Sequence, residues 1–327
     1  MNNIDIKCGY TCNSNCKFCA CVFDRDDLIK KGQSIDLTTD QVKHLLISNQ
    51  SKFDNCTLTG GEVTIRKDFV EILSLAGKLY KNVIIQTNGR LLYKRALSQA
   101  INNTPNVHCV VNVCGSNPIL NDNVSQSRHS FNQLIKSLAV IDPSKITLLM
   151  VIIKDNVHDI PNIVELASSY HIDRVSFVPI MTTAFEEGDH ASLIAPLEDV
   201  NKYLLMAYNK AQQYHIVLKT FCGSFPMCKV DPKLWELFGD LENNNTTISV
   251  AVNEAKSFDT TSERQNVHRI KPSQCGQCVL NCVCEGFVSG TVDITPNPIS
   301  VPVKFDSSIN LLHKLRVLSL LFSMENG

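Results

Sequence analysis

Through its first 180 residues the chain alternates short apolar runs with longer stretches whose apolar positions recur three or four apart. Residues 3–7, 56–59, 83–87, 107–113, 146–153 and 175–178 read as strands, ended by polar residues or glycine. Helices are predicted between them: from Thr38 or Thr39 to about Gln50, from Asp68 past Leu79, and over 91–101, 130–141 and 160–170. Val42, Leu45 and Leu46 share one side of the first helix; Phe69, Ile72, Leu73 and Leu79 form the stripe of the second. Residues 24–34, charged and containing Gly32, read as a loop crossing the face of the protein, and 115–127 as a second loop. Six strand-helix steps predict an α/β fold with parallel strands covered by helices. The pattern allows a partial barrel, (β/α)6, and equally a doubly wound sheet; in both, ligands sit at the carboxyl ends of the strands.

Beyond residue 179 the pattern changes. Residues 196–214 are helical, 216–218 strand-like, 222–228 rich in turn formers, and 243–247 a polar loop. A domain boundary is expected near residue 215, giving 1–215 and 216–327. The apolar run 311–322 carries His313, Lys314 and Arg316 and reads as an amphipathic terminal helix packed on the domain.

With 327 residues, 44% of them hydrophobic, the chain can bury a substantial core. Its 31 basic and 32 acidic residues leave a net charge of -1, which gives no support for a nucleic-acid partner or an anionic membrane surface. No run of 18 uncharged apolar residues predicts a membrane span. The opening residues MNNIDIKCGY lack a secretory pattern, so a reducing, cytoplasmic setting is expected. There the 14 cysteines read as metal ligands or buried thiols rather than as a disulfide framework.

The chemistry concentrates in Cys12-Asn13-Ser14-Asn15-Cys16-Lys17-Phe18-Cys19, three thiols spaced C-x3-C-x2-C with an aromatic before the last. Soft sulfur ligands select iron-sulfur, zinc or copper(I), and three thiolates on a four-iron cubane leave one iron open. A zinc knuckle is the structural alternative, with Cys8 or Cys21 as fourth ligand. Gly60-Gly61-Glu62 ends the second strand, where missing Cβ atoms admit close backbone approach to a ligand, or simply allow a tight turn. Gln86-Thr87-Asn88-Gly89 ends the third. A second group, Cys275-Gly276-Gln277-Cys278 followed by Cys284, lies near the C-terminus, with Cys222, Cys228 and Cys282 as further thiols. Structural zinc on four thiolates fits that spacing too. Cys56, Cys109 and Cys114 read as small buried hydrophobes, although Cys114 is near enough to the strand ends to keep a substrate role open. His108, His171 and His215 have no metal-binding spacing.

These motifs resemble the radical S-adenosylmethionine (radical SAM) superfamily over roughly the first half of the chain. The resemblance favours the partial barrel and implies a [4Fe-4S] cluster on Cys12, Cys16 and Cys19 whose free iron chelates S-adenosylmethionine. It further implies that Gly60, Gly61 and Glu62 contact the cofactor's amino group, despite Val63 where the family usually has proline. Asn88 would lie near the ribose or support the neighbouring wall; Asn112 follows the fourth strand as a polar contact, and Arg128 is the candidate for the carboxylate, against a plain surface arginine. The C-x2-C-x5-C group resembles the auxiliary-cluster domain called SPASM, or its shorter twitch relative. That likeness implies a second [4Fe-4S] cluster on Cys228, Cys275, Cys278 and Cys284, with Cys222 or Cys282 as possible replacements. The implied activity is reductive cleavage of S-adenosylmethionine to a 5'-deoxyadenosyl radical that abstracts hydrogen from a ribosomal peptide or small polar metabolite, in a biosynthetic oxidation, rearrangement or crosslink. A one-electron reductant such as flavodoxin or ferredoxin would drive it. A zinc-stabilised binding module and a non-catalytic scaffold of the same fold are the alternatives from other classes.

Overall fold

The computed structural model describes residues 3–180, 192–220, 226–237, 247–252, 254–259, 269–278, 281, 284 and 286–288. Cys222, Cys282, the helix expected over 311–322 and residues 243–246 of the polar loop lie outside these.

The strands are β1 (Asn3–Lys7), β2 (Asn55–Thr59), β3 (Asn82–Thr87), β4 (Val107–Asn112), β5 (Ile146–Ile152), β6 (Arg174–Pro179), β7 (Val217–Thr220), β8 (Thr247–Ala251) and β9 (Glu254–Asp259). They form one sheet in the order β7-β6-β5-β4-β3-β2-β1-β8-β9. All neighbours are parallel except β8 and β9. From β1 to β7 the order never reverses, so there is no switch point of the doubly wound kind. Right-handed crossovers that always step the same way place every connecting helix on one side of the sheet. The sheet continues past residue 215 through β7 and β8, adding two parallel strands to the six read from the sequence.

Burial agrees with this one-sided cover. Ile4 and Ile6, Cys56 and Leu58, Val83 and Ile85, Val107, Cys109 and Val111 are fully or almost fully buried on the helix side. Their alternates on the concave side are mostly half-buried and mixed: Asn3, Asp5, Asn55, Asn82, His108 and Asn112 are polar, whereas Ile84, Val110, Leu149, Val151 and Val178 are apolar. Hydrogen bonds cross that side from strand to strand: Asn3 Nδ2 donates to Thr57 Oγ1 at 3.1 Å and Asn82 Nδ2 to Asn55 Oδ1 at 2.9 Å. A doubly wound sheet needs helices over two fully buried faces; this one has a single helix-covered face and a half-buried lumen of mixed polar and apolar side chains, as an open barrel does.

Helices α1 (Cys21–Lys30), α2 (Thr39–Asn49), α3 (Phe69–Leu79), α4 (Arg95–Asn103), α5 (Pro118–Ser125), α6 (Ser130–Leu138), α7 (Ile160–Ser169) and α8 (Leu197–Tyr214) complete the layer. Two of them replace loops expected from the sequence. In α1 the charges Asp24 to Asp27 fill the exposed turns and Leu28 alone is fully buried, so no apolar period marks the helix. In α5 the signal was local: Asn117 caps the helix by accepting the Leu120 N–H at 3.0 Å, and Pro118 occupies the first turn. Helix α2 follows the expected form, with Thr38 and Gln41 closing a reciprocal capping box.

His108 faces the lumen and bonds Thr147 Oγ1 at 2.8 Å. Burial pushes its imidazole down, to about 4, with Arg174 and Lys145 adding to the effect against Asp173. The unfolded chain, near 6.5, therefore binds a proton that the folded chain refuses. Stability is expected to fall as pH drops from about 6.5 towards 4, and His108→Gln should lessen that loss. Urea midpoints at pH 7 and pH 5 for both proteins measure it.

Candidate active site

The three thiols lie on the loop that leaves β1 at its carboxyl end, and the loop has almost no secondary structure of its own. It is held by its neighbours. Asp36 takes the Tyr10 and Thr11 N–H groups at 3.0 and 3.1 Å. After β2, the Gly61 N–H donates to the Gly9 carbonyl at 2.8 Å and the Glu62 N–H to the Thr11 carbonyl at 2.9 Å. A Cβ on Gly60 would sit 2.1 Å from the Gly9 carbonyl oxygen, and one on Gly61 2.3 Å from that of Thr11. The glycines thus make room for the backbone of the thiol loop.

Glu62 is equally committed. Its carboxylate, 2% exposed, accepts Thr64 N–H at 3.1 Å, Thr64 Oγ1 at 2.6 Å and Thr87 Oγ1 at 2.7 Å on one oxygen, and the Asn88 N–H at 2.6 Å on the other. Burial pushes this carboxyl up, and the bonds from Thr64, Asn88 and Thr87 pull against it. Three donors crowd one oxygen and a single donor reaches the other, so Glu62 ties the end of β2 to the end of β3 and keeps one acceptor site on its second oxygen. Asn88 carries the tie onward: its Nδ2 donates to Asn13 Oδ1 at 2.7 Å and to Ser14 Oγ at 3.4 Å, and reaches Cys12 Sγ at 4.0 Å. Of the two roles considered for Asn88, the supporting one is what this geometry displays.

The other half of the loop leans on α5. Asn15 and Lys17 donate their N–H groups to the Ser125 and Val124 carbonyls at 3.1 and 3.0 Å, and Lys17 Nζ pairs with Asp155 at 2.8 Å. Phe18 and Cys16 pack against Cys114, Val124, Ile153 and Ile180. Cys114 is therefore part of the mouth. Its peptide is fixed by Asn121 and Asn156, and Asn112 Nδ2 donates to its sulfur at 3.4 Å. Asn112 Oδ1 is buried without a partner among the described residues, an acceptor left open where a polar contact was expected. Phe177 is wholly core, while Ile180 reaches the mouth. Arg128 is exposed, and its guanidinium makes no hydrogen bond among the described residues. Arg90, which the sequence reading passed over, does reach the loop: it donates to the Asn13 carbonyl and to Ser14 Oγ at 3.1 Å. A recess of about 350 Å³ opens beside Cys16 and Cys19, lined also by Lys17, Gln126 and Leu193.

These residues fit an iron-sulfur cluster. The donors on the loop are thiols only, the Ser14 N–H already points at Cys12 Sγ at 3.4 Å, and such bonds support a thiolate ligand. Cys19 precedes α1, and hydrogen bonds from the Cys21 side chain and from the Cys21 and Val22 N–H groups hold its thiol down, to about 6, against burial. Cys8, a possible fourth ligand for zinc, is instead buried with its thiol on the Ile6 carbonyl; Cys21 bonds the Gly60 carbonyl at 3.4 Å. Among the described residues no three Cys, His, Asp or Glu side chains converge as one bound ion requires. The thiolates of a cubane sit on separate irons and need not converge.

Of the C-terminal thiols, Cys278 and Cys284 are half-buried and pack against the core. Strands β10 (Arg269–Ile270) and β11 (Phe287–Val288) pair as an antiparallel ribbon that closes the segment bearing Cys275, Cys278 and Cys284. The Cys284 thiol, pushed up by burial, takes backbone hydrogen bonds from Met227 and Gly286 and lies near Cys278. That places it next to the turn Met227–Lys229, which carries Cys228.

Replacing the Glu62 carboxylate by an amide turns an acceptor into a donor facing donors. Glu62→Gln is expected to destabilise the domain by about 1–3 kcal/mol, read as a lowered urea midpoint. It should also weaken retention of iron by the loop, read by iron analysis after anaerobic gel filtration.

Residues 6–167 match the Radical SAM superfamily. No curated protein matches the chain. Among solved structures, Streptococcus suis SuiB bound to S-adenosylmethionine superposes with a TM-score of 0.62 at 18% identity, over 94% of this chain and 77% of that one. Native anSMEcpe with bound AdoMet superposes with a TM-score of 0.63 at 14% identity, over 98% of this chain and 96% of that one. Identities this low speak for the fold, and both neighbours share the parallel sheet described above. With the family match spanning the thiol loop, the glycine turn and the first five strands, the protein is an enzyme built on a radical SAM domain.

Proposed function

We propose that the protein uses a [4Fe-4S] cluster on Cys12, Cys16 and Cys19 to bind and reductively cleave S-adenosylmethionine, and that its substrate is a peptide. The observation that carries the first part is the all-thiol loop, clamped at both halves by the ends of β2, β3 and α5. When bound, the cluster and S-adenosylmethionine supply a 5'-deoxyadenosyl radical able to take hydrogen from an unactivated carbon. The chain's own residues do the rest. Asn88 and Arg90 fix Asn13 and Ser14, so the first thiol keeps its place when the second and third are loaded. Phe18, Val124, Ile153 and Ile180 build an apolar wall that keeps water from the mouth. Asn112 offers its open acceptor to a hydroxyl of the nucleoside, and the recess beside Cys16 and Cys19 gives the cofactor room.

The peptide reading rests on two neighbours, SuiB bound to its precursor peptide SuiA and anSMEcpe bound to AdoMet and the Kp18Cys peptide, with TM-scores of 0.58 and 0.61. A small polar metabolite in the same lumen is the second reading, favoured by the polar side chains that line it. The proposal also places a second [4Fe-4S] cluster on Cys228, Cys275, Cys278 and Cys284, in a C-terminal part, 216–327, that lends β7 and β8 to the sheet begun by residues 1–215, with a flavodoxin or ferredoxin as the electron donor. Support for the cluster is the approach of Cys284 to Cys278 and to the Met227–Lys229 turn.

Anaerobically purified protein is expected to be brown and to hold about eight irons per chain. With S-adenosylmethionine and dithionite it should form 5'-deoxyadenosine, and Cys16→Ala should abolish this. Cys278→Ala should lose about half the iron while leaving the first cluster's signal. A colourless zinc protein, or a fully loaded one that forms no 5'-deoxyadenosine, would overturn the reading. Deuterium passing into 5'-deoxyadenosine from a labelled peptide encoded beside the gene, and not from sugars or nucleosides, decides the substrate class.

A further inference from the structure

The turn after β3 contributes a feature that the cluster's three ligands do not explain. Arg90 lies half-buried against the loop between Cys12 and Cys16, and every partner of its side chain is neutral: the Asn13 carbonyl, Ser14 Oγ at 3.1 Å and Gln133 Oε1 at 2.7 Å. No carboxylate pairs with it among the described residues. Glu62, in the turn after β2, bonds Thr64, Thr87 and the Asn88 N–H and not the guanidinium. Lys17, the other cation on this loop, is by contrast paired with Asp155.

We propose that Arg90 is a positioning residue for the three-thiol loop and that its unneutralised charge holds the reduction potential of the cluster up. Two observations carry this beyond a surface arginine. The guanidinium is aimed rather than free, because Gln133 on α6 fixes its Nε and the Arg90 N–H donates to Asn88 Oδ1 at 3.1 Å. Moreover, its two loop acceptors belong to the residues directly after Cys12, so its charge stands beside the first thiol ligand. One-electron reduction takes the cluster from [4Fe-4S]2+ to [4Fe-4S]+, adding one negative charge at the sulfurs and irons. A fixed cation in a partly desolvated site favours the more negative state, and the effect is larger there than in water. Gln133 belongs to this device as the residue that aims the charge.

The inference rests on the cluster being held by Cys12, Cys16 and Cys19, and the test separates the two. Full-length protein, loaded anaerobically, is titrated with redox mediators while the electron paramagnetic resonance signal that changes on adding S-adenosylmethionine is followed. Gln133→Glu keeps an acceptor for Nε and adds a neutralising carboxylate; it is expected to lower the midpoint potential with iron content unchanged. Arg90→Gln should lower it as well and speed alkylation of Cys12 in the metal-free chain. Arg90→Lys should restore most of the potential but not the protection of Cys12. Titration of both Gln133→Glu and Arg90→Gln at the potential of the unaltered protein would overturn the proposal, and if Arg90→Gln fails to load, Gln133→Glu decides alone. Persistence of the signal in Cys16→Ala would defeat the ligand assignment itself, by a visibly different route.

Discussion

Three sulfurs on one irregular loop have to keep their spacing without a helix or strand to space them. The structure meets this by lending the loop the ends of its neighbours. Asp36 and the Gly61 and Glu62 amides hold its first turn, Asn88 and Arg90 its middle, and the Ser125 and Val124 carbonyls its last part. Glu62 is the knot, because its one buried carboxylate fastens the turns after β2 and β3 to each other. Remove it and two donors on each side are left without acceptors, a larger penalty than any single bond suggests.

Much of this was legible before any coordinates. Strands β1 to β6, α2, α3 and α7 follow from apolar spacing and caps, and the glycine pair and Asn88 stand out as strand-end residues; β8 and β9 carry no such signal. What could not be read is what those residues face. Glycines that admit a ligand and glycines that admit a neighbouring peptide look the same in a sequence; the carbonyls of Gly9 and Thr11, 2.1 and 2.3 Å from the missing Cβ atoms, show that these two admit a peptide. Arg90 was invisible for a related reason, since nothing local links it to Asn13, 77 residues away. Helix α1 escaped because helices that bury a single leucine leave no period to detect. Helix α5 differs, for its Asn117-Pro118 start is a legible cap, but the polar residues around it leave no apolar stripe to go with the cap.

The one-sided sheet also explains where the chemistry can be. Helices cover one face, so the opposite face is free to carry Asn, Gln, Thr and His side chains beside Ile84, Val110, Leu149 and Val151. Such polar groups would be costly under a second helical layer, and in a lumen they need only one another or a ligand. Thr59 Oγ1 and Gln86 Oε1, 2.7 Å apart at the mouth end, mark where that lining meets the thiol loop.

Strand β1 gains its second neighbour from far away. Asn3 pairs with Asn55 on one side and with Thr247 on the other, and the latter contact spans 247 − 3 = 244 positions. Contacts that distant close late, after the local strand-helix units have formed. Until this contact forms, β1 is an edge strand paired with β2 alone. The backbone clamps on the thiol loop come from residues no later than Ser125, so the loop takes its shape from the first 125 residues and does not wait for β8.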